Sequence, residues 1–132
     1  MLTRMRISTG ARVELQEITA QVKQVVRESG VKDGVCYLFV PHTTAGLVVN
    51  EHADPSVVRD IISQLETLVP SQAKYLHLEG NAPAHVKSSI VGCSLTLFVE
   101  EGSLVVGTWQ GIFFAEFDGP RQRTLLVKVM PG

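Results

Sequence analysis

Cysteine is scarce in this sequence: only Cys36 and Cys93 occur among 132 residues, far apart and each inside an apolar stretch. Neither belongs to a Cys-x-x-Cys pair, so a disulfide framework is not supported and both read as small buried hydrophobes. Basic charge is not in excess either. Lys and Arg are scattered and the formal net charge is −1, which leaves no field to draw in a phosphate backbone by counterion release. Nucleic acid is therefore not an expected partner. No apolar run approaches the roughly 18 residues that span a bilayer, and the N-terminal Met-Leu-Thr-Arg-Met-Arg lacks the apolar segment of a signal peptide. The expectation is a cytoplasmic protein with no membrane partner. Internal repeats, linkers and low-complexity segments are also missing.

What is present is a globular composition, 45% apolar and 19% charged. Its length suits one continuous core, a single domain over residues 1–132. Leu2 to Glu14 is β-compatible and broken by Ser8-Thr9-Gly10, which predicts a hairpin or two short strands with a turn. Ile18, Val22, Val25 and Val26 recur at helical spacing and Gly30 supplies a stop. Val35–Val40 and Leu47–Val49 are continuous apolar runs, as expected of central strands buried on both faces. Asp54-Pro55 opens a second helix with an apolar stripe from Val57 to Leu68. A brief strand over Tyr75–Glu79 and a short helix over Pro83–Val91 follow. Ser94–Glu100, Leu104–Thr108, Gln110–Phe117 and Gln122–Met130 read as an antiparallel meander.

The polar residues cluster just past the ends of these elements, where a rigid scaffold presents side chains to a ligand. His42 follows a buried strand, His77 lies in the Tyr75–Glu79 segment and His85 sits on the first turn of a helix. Three imidazoles with a fourth position open to water make a catalytic zinc arrangement, although no His-x-x-x-His spacing enforces it. The alternative is three histidines each hydrogen-bonded locally. His52, ahead of the Asp54 helix start, stands outside the set. Glu51 can serve as a general base or simply belong to a turn. Arg121 and Arg123 share a strand face, as do Glu116 and Asp118, so the arginines either grip a phosphate or form cross-strand ion pairs. Trp109, the only tryptophan, is either core or a stacking platform.

Taken together, His42-Thr43-Thr44-Ala45, Asn50-Glu51, Ala53-Asp54-Pro55, Tyr75-Leu76-His77, Asn81 to Ser88, Gly107-Thr108-Trp109-Gln110 and Glu116 to Arg123 resemble the YjbQ-like family, also called the secondary thiamine-phosphate synthase family. The resemblance spans nearly the whole chain. It implies an α+β fold of mainly antiparallel sheets, with two longer helices and one short one, packed around a threefold axis as a homotrimer. It also implies a shared site at His42, His77 and His85 and a weak thiamine-phosphate synthase activity, which joins hydroxymethylpyrimidine diphosphate to thiazole phosphate and releases pyrophosphate. The alternative is a non-catalytic trimer that binds a metal or small ligand. The expected catalytic set is His42, His77, His85 and Glu51. Thr43, Asn50, Asn81, Lys87, Trp109, Gln110, Arg121 and Arg123 are the expected contacts to a phosphorylated small-molecule substrate. The expected cofactor is a divalent metal on the three histidines, zinc, or magnesium with a diphosphate substrate.

Overall fold

The computed structural model describes residues 1–132. In chain order the elements are β1 (Leu2–Ser8), β2 (Glu14–Glu17), α1 (Thr19–Ser29), β3 (Gly34–Phe39), β4 (Ala45–Glu51), α2 (Pro55–Leu68), α3 (Ala82–Val91), β5 (Ser94–Glu100), β6 (Ser103–Val105), β7 (Gln110–Glu116) and β8 (Gln122–Pro131). They build a mixed α+β fold with two antiparallel sheets, one in the order β1-β8-β3-β5-β6 and one in the order β2-β7-β4. No helix is long and apolar enough to cross a membrane.

The helices form where spacing and caps predict them. In α1, Val22 and Val26 fall one turn apart and are fully buried, and Gly30 ends the helix at φ 72°, a left-handed conformation that glycine adopts without a Cβ penalty. The Asp54 side chain caps α2 by accepting from Ser56 N at 2.9 Å, with Pro55 in the first turn. The main core lies between α1 and the inner faces of both sheets, with Leu38 from β3, Ile112 and Phe114 from β7, and Leu125 and Val127 from β8. Each such side chain contributes about 1.5–3 kcal/mol on burial. A smaller cluster of Leu65, Ala84, Ala115 and Phe117 seats α2 and α3 on the small sheet.

Several expectations are corrected. The N-terminal segment makes two strands but no hairpin: β1 pairs with β8 and β2 with β7, so Ser8-Thr9-Gly10 begins a crossing between sheets. β3 is central, yet only its Gly34, Cys36 and Leu38 side is buried, while Tyr37 and Phe39 face outward. β4 is an edge strand. Residues 75–79 form no strand; they run as an irregular strap with Leu76 and Leu78 exposed. The C-terminal strands do not form one meander, because β7 joins the small sheet and β8 returns to lie between β1 and β3.

One contact positions the site directly. β4 meets the end of α3 at Gly46, where Leu47 N donates to Gly92 O at 3.0 Å. A Cβ at Gly46 would lie 2.5 Å from that same carbonyl oxygen. Gly46→Ala is therefore expected to destabilise the fold by about 1–3 kcal/mol through overpacking. Urea unfolding measures this, and a variant as stable as the parent would refute the close approach.

Candidate functional site

The site begins at the junction of β7 and β8, where Glu116 and Arg123 are buried together. Arg123 binds both carboxylate oxygens: Nε donates to Oε1 at 2.9 Å and Nη2 to Oε2. The same carboxylate accepts from Thr9 Oγ1 at 2.7 Å and from Asp118 N at 2.9 Å. Arg123 Nη2 also donates to Thr44 Oγ1 at 2.8 Å. Burial alone would raise the Glu116 pKa, but Arg123, Asp118 N–H and Thr9 hold it below the ordinary value. The Arg123 fork is thus occupied by Glu116 and Thr44.

Beside the pair, His42 Nε2 accepts from Thr124 N at 2.9 Å. Pairing of β3 with β8 stops at Phe39–Leu126, so this amide lies beyond the ladder and the imidazole receives it. An accepting Nε2 needs its lone pair, which places the proton of the neutral ring on Nδ1. Burial, and then the Arg123 charge, lower the His42 pKa from its ordinary 6.5. His42 is therefore a neutral hydrogen-bond donor through Nδ1.

A second relay runs through Asp118. Its Oδ2 accepts from Arg121 Nη2 at 3.0 Å and from Asn81 Nδ2 at 2.9 Å, and its carbonyl accepts from Arg121 Nε at 2.7 Å. Burial would raise the Asp118 pKa, but Asn81 and Arg121 hold it below the ordinary value. With its amide nitrogen turned to the carboxylate, Asn81 presents Oδ1 to His77 Nε2 at 2.9 Å, so that nitrogen carries the proton. His77 packs edge-on against His85, with ring centroids 5.0 Å apart.

These groups border a cleft of about 620 Å³ whose wall includes His42, Thr43, His85, Asp118, Arg121 and Arg123, together with Glu79, Asn81, Phe39 and Cys93. Arg121 is half exposed there and keeps guanidinium N–H groups beyond those used on Asp118. The cleft therefore offers donors from Arg121 and His42, acceptors from Asp118 and Glu79, and His85 as an acid–base group.

Other expected site residues lie elsewhere. Asn50, Glu51, Trp109 and Gln110 sit at the opposite end of the β4–β7 pair, where Glu51 Oε2 accepts from Ala53 N at 2.8 Å as part of a turn. That end has its own pair: His52 Nδ1 donates to Glu17 Oε2 at 2.7 Å, and Thr19 adds a bond at 2.8 Å. Burial would raise the Glu17 pKa, but the His52 and Thr19 bonds lower it. Trp109 is 63% exposed, so it is not core. Lys87 is buried against Glu66, its ammonium 6.0 Å from the Phe117 ring centre, and does not line the cleft. Thr9, Thr44 and Cys93 were not foreseen as site residues. Thr44 carried a signal, since it neighbours His42 in the motif; Thr9 carried none beyond its place in a turn.

The three-histidine metal site is corrected. No group of three or more His, Cys, Asp or Glu side chains is arranged to hold a metal ion. The physical reason starts at His42: one nitrogen accepts from Thr124 and the other bears the proton, which leaves no lone pair for a metal. His77 is set apart in the strap, its Nε2 turned to Asn81.

Comparison with known proteins bears on the rest. The family described as UPF0047 protein YjbQ-like matches residues 3–132. UPF0047 protein MJ1081 of Methanocaldococcus jannaschii is 53% identical over 130 residues, covering 98% of this chain and 94% of its own. UPF0047 protein YugU of Bacillus subtilis is 45% identical over 131 residues, covering 98% and 99%. Among solved structures, a YjbQ/UPF0047 family protein of Clostridium acetobutylicum superposes with a TM-score of 0.95 at 47% identity, covering 97% of this chain and 99% of its own. A YbjQ-like protein of unknown function from Sulfolobus solfataricus superposes at 0.96 with 37% identity, covering 100% and 97%. These relatives carry only such descriptions, and none names thiamine-phosphate synthesis. Together with the missing metal cluster, this overturns the expected thiamine-phosphate synthase and its three-histidine metal; of the alternative, a non-catalytic trimer that binds a metal or small ligand, the metal-binding form falls with it.

Two outcomes follow from the buried network. Glu116→Gln strands the Arg123 charge and is expected to cost about 3–5 kcal/mol in urea unfolding, most of it recovered when Arg123 is also replaced by Met; a loss below about 1 kcal/mol would contradict the pairing. Because the folded His42 pKa is depressed, its contribution to stability is complete above about pH 6.5 and declines as pH falls through the folded value. His42→Gln, which keeps an acceptor for Thr124, should flatten the fall of Tm between about pH 7 and 5; an unchanged slope would show that His42 does not drive it.

Proposed function

Because the chain belongs to the UPF0047 family of YjbQ-like proteins, we propose that its role is that of the cleft itself: binding a small polar metabolite through an anionic group, phosphate or carboxylate, held by Arg121 and His42. The observation that carries this reading is that both residues line one cleft with hydrogen-bond donors left over after their internal bonds. Arg121 offers charge and a planar fork, and His42 offers Nδ1–H from a ring kept neutral. Asp118 orients Arg121 and partly balances its charge, so the cleft selects a ligand that brings donor groups as well as the anion. Thr43 adds a hydroxyl. His85 in the same wall makes proton transfer to or from the bound ligand the class of reaction the cleft supports.

The reading places the protein in the cytoplasm, where such metabolites occur, as a homotrimer of the kind the family resemblance implies. An outward sheet face rich in apolar side chains supports the assembly.

Calorimetric titration of the full, untagged chain with inorganic phosphate tests the reading. Phosphate is expected to bind the parent, and Arg121→Lys, which keeps charge but loses the fork, to weaken binding by about tenfold. No binding to the parent, or equal binding to Arg121→Lys and Arg121→Ala, would overturn it.

A further inference from the structure

His85 belongs to two walls. It borders the cleft that holds Arg121 and His42, and it also borders a second pocket of about 410 Å³ between the strap and α3. The second pocket differs in kind. From α3 come Ala82 and Val86, at i and i+4 on one helix face, and from the strap come Tyr75 and Leu76. Leu76, Ala82 and Val86 have no polar side-chain atom, and Tyr75 donates its hydroxyl to the Pro70 carbonyl. Lys74 is the one side chain of permanent charge in this wall, and its sign favours an anionic ligand.

In the chain Leu76 is 99% exposed and Val86 39%. Single exposed apolar residues are ordinary, but these two line one concavity, and that concavity adjoins a site for an anion. The partition between the two pockets is the edge-on pair of His77 and His85, with ring centroids 5.0 Å apart. It is fixed from the cleft side, because Asn81 lines the cleft and accepts from His77 Nε2 at 2.9 Å. A ligand that fills both pockets therefore places its anion at Arg121 and His42, its link beside His85 and its remaining part on Leu76 and Val86.

We infer that the ligand of this site is a soluble anionic amphiphile: a phosphate or carboxylate joined to a hydrocarbon group, a ring or a short alkyl chain, that sits between Leu76 and Val86. The inference rests on the anion-binding reading of the cleft and adds the other half of the ligand. Any donors that Asp118 selects belong beside the anion. The far part is hydrocarbon, because a sugar or a heteroaromatic base would bring donors and acceptors that Leu76, Ala82 and Val86 leave unpaired.

Calorimetry with phenyl phosphate and methyl phosphate, which share the phosphate monoester and differ in the apolar group, tests this on the parent, on Leu76→Ser and on Val86→Asn. Neither residue lines the cleft, and circular dichroism confirms folding. The parent is expected to bind phenyl phosphate about tenfold or more tightly than methyl phosphate. The variants are expected to lose most of that preference and to bind methyl phosphate as the parent does. Equal binding of the two esters by the parent, or a preference kept in full by both variants, overturns the apolar half of the site while the cleft reading stands. A parent that binds neither ester nor inorganic phosphate overturns the cleft reading and this inference with it. Co-sedimentation with vesicles containing phosphatidic acid separates a free metabolite from a lipid headgroup: the chain is expected to stay in the supernatant, and pelleting with the vesicles overturns the soluble ligand.

Discussion

The buried pair of Glu116 and Arg123 is the constraint on which the site depends. A carboxylate and a guanidinium taken out of water cost several kcal/mol each unless every remaining lone pair and N–H is met. Glu116 ends β7 in the small sheet and Arg123 is the second residue of β8 in the large one, so their contact fastens the two sheets together at one register. Thr9 just past β1, Thr44 ahead of β4 and the Asp118 amide complete the bonds, which draws two further segments to the same point. The intervening turn, residues 117–121, is thereby held in place. Asp118 and Arg121 stand at the cleft because the buried pair leaves their turn no other position.

Hydrogen-bond polarity spreads outward from that point and decides the chemistry of the histidines. A carboxylate at Asp118 can only accept, so Asn81 must turn its nitrogen inward and its oxygen to His77, which fixes the proton on His77 Nε2. On the other flank the Thr124 amide can only donate, so His42 must accept at Nε2 and donate at Nδ1. Two rings that look alike in sequence become opposite tools. A metal would need lone pairs where the fold has placed protons, whereas an anion needs the donors that the fold has left unused.

Much of the fold was legible in the residues. Helical spacing of Val22 and Val26, the Asp54-Pro55 start and Gly30 as a stop all express local rules that the tertiary structure did not override. The partition into two sheets was not legible, because each strand of the C-terminal series is equally able to pair with its sequence neighbour. It is settled by β8 inserting between β1 and β3, a pairing between residues more than a hundred positions apart. The site divides in the same way. His42, Thr43, Asn81, His85 and Arg121 line the cleft as motif clustering suggested. Asn50 and Glu51, only a few residues beyond His42 in sequence, lie at the far end of a seven-residue strand, and such a strand carries them about 20 Å away. Proximity in sequence cannot show which end of a strand faces a ligand.

The choice between cross-strand ion pair and phosphate grip at Arg121 and Arg123 resolves differently for the two residues, and burial is the reason. Arg123 is enclosed and its charge must be met within the chain, so it has no freedom to bind anything else. Arg121 is half exposed, and its bonds to Asp118 orient the guanidinium without exhausting it. Water also solvates that exposed side, which weakens any grip on an anion by screening it.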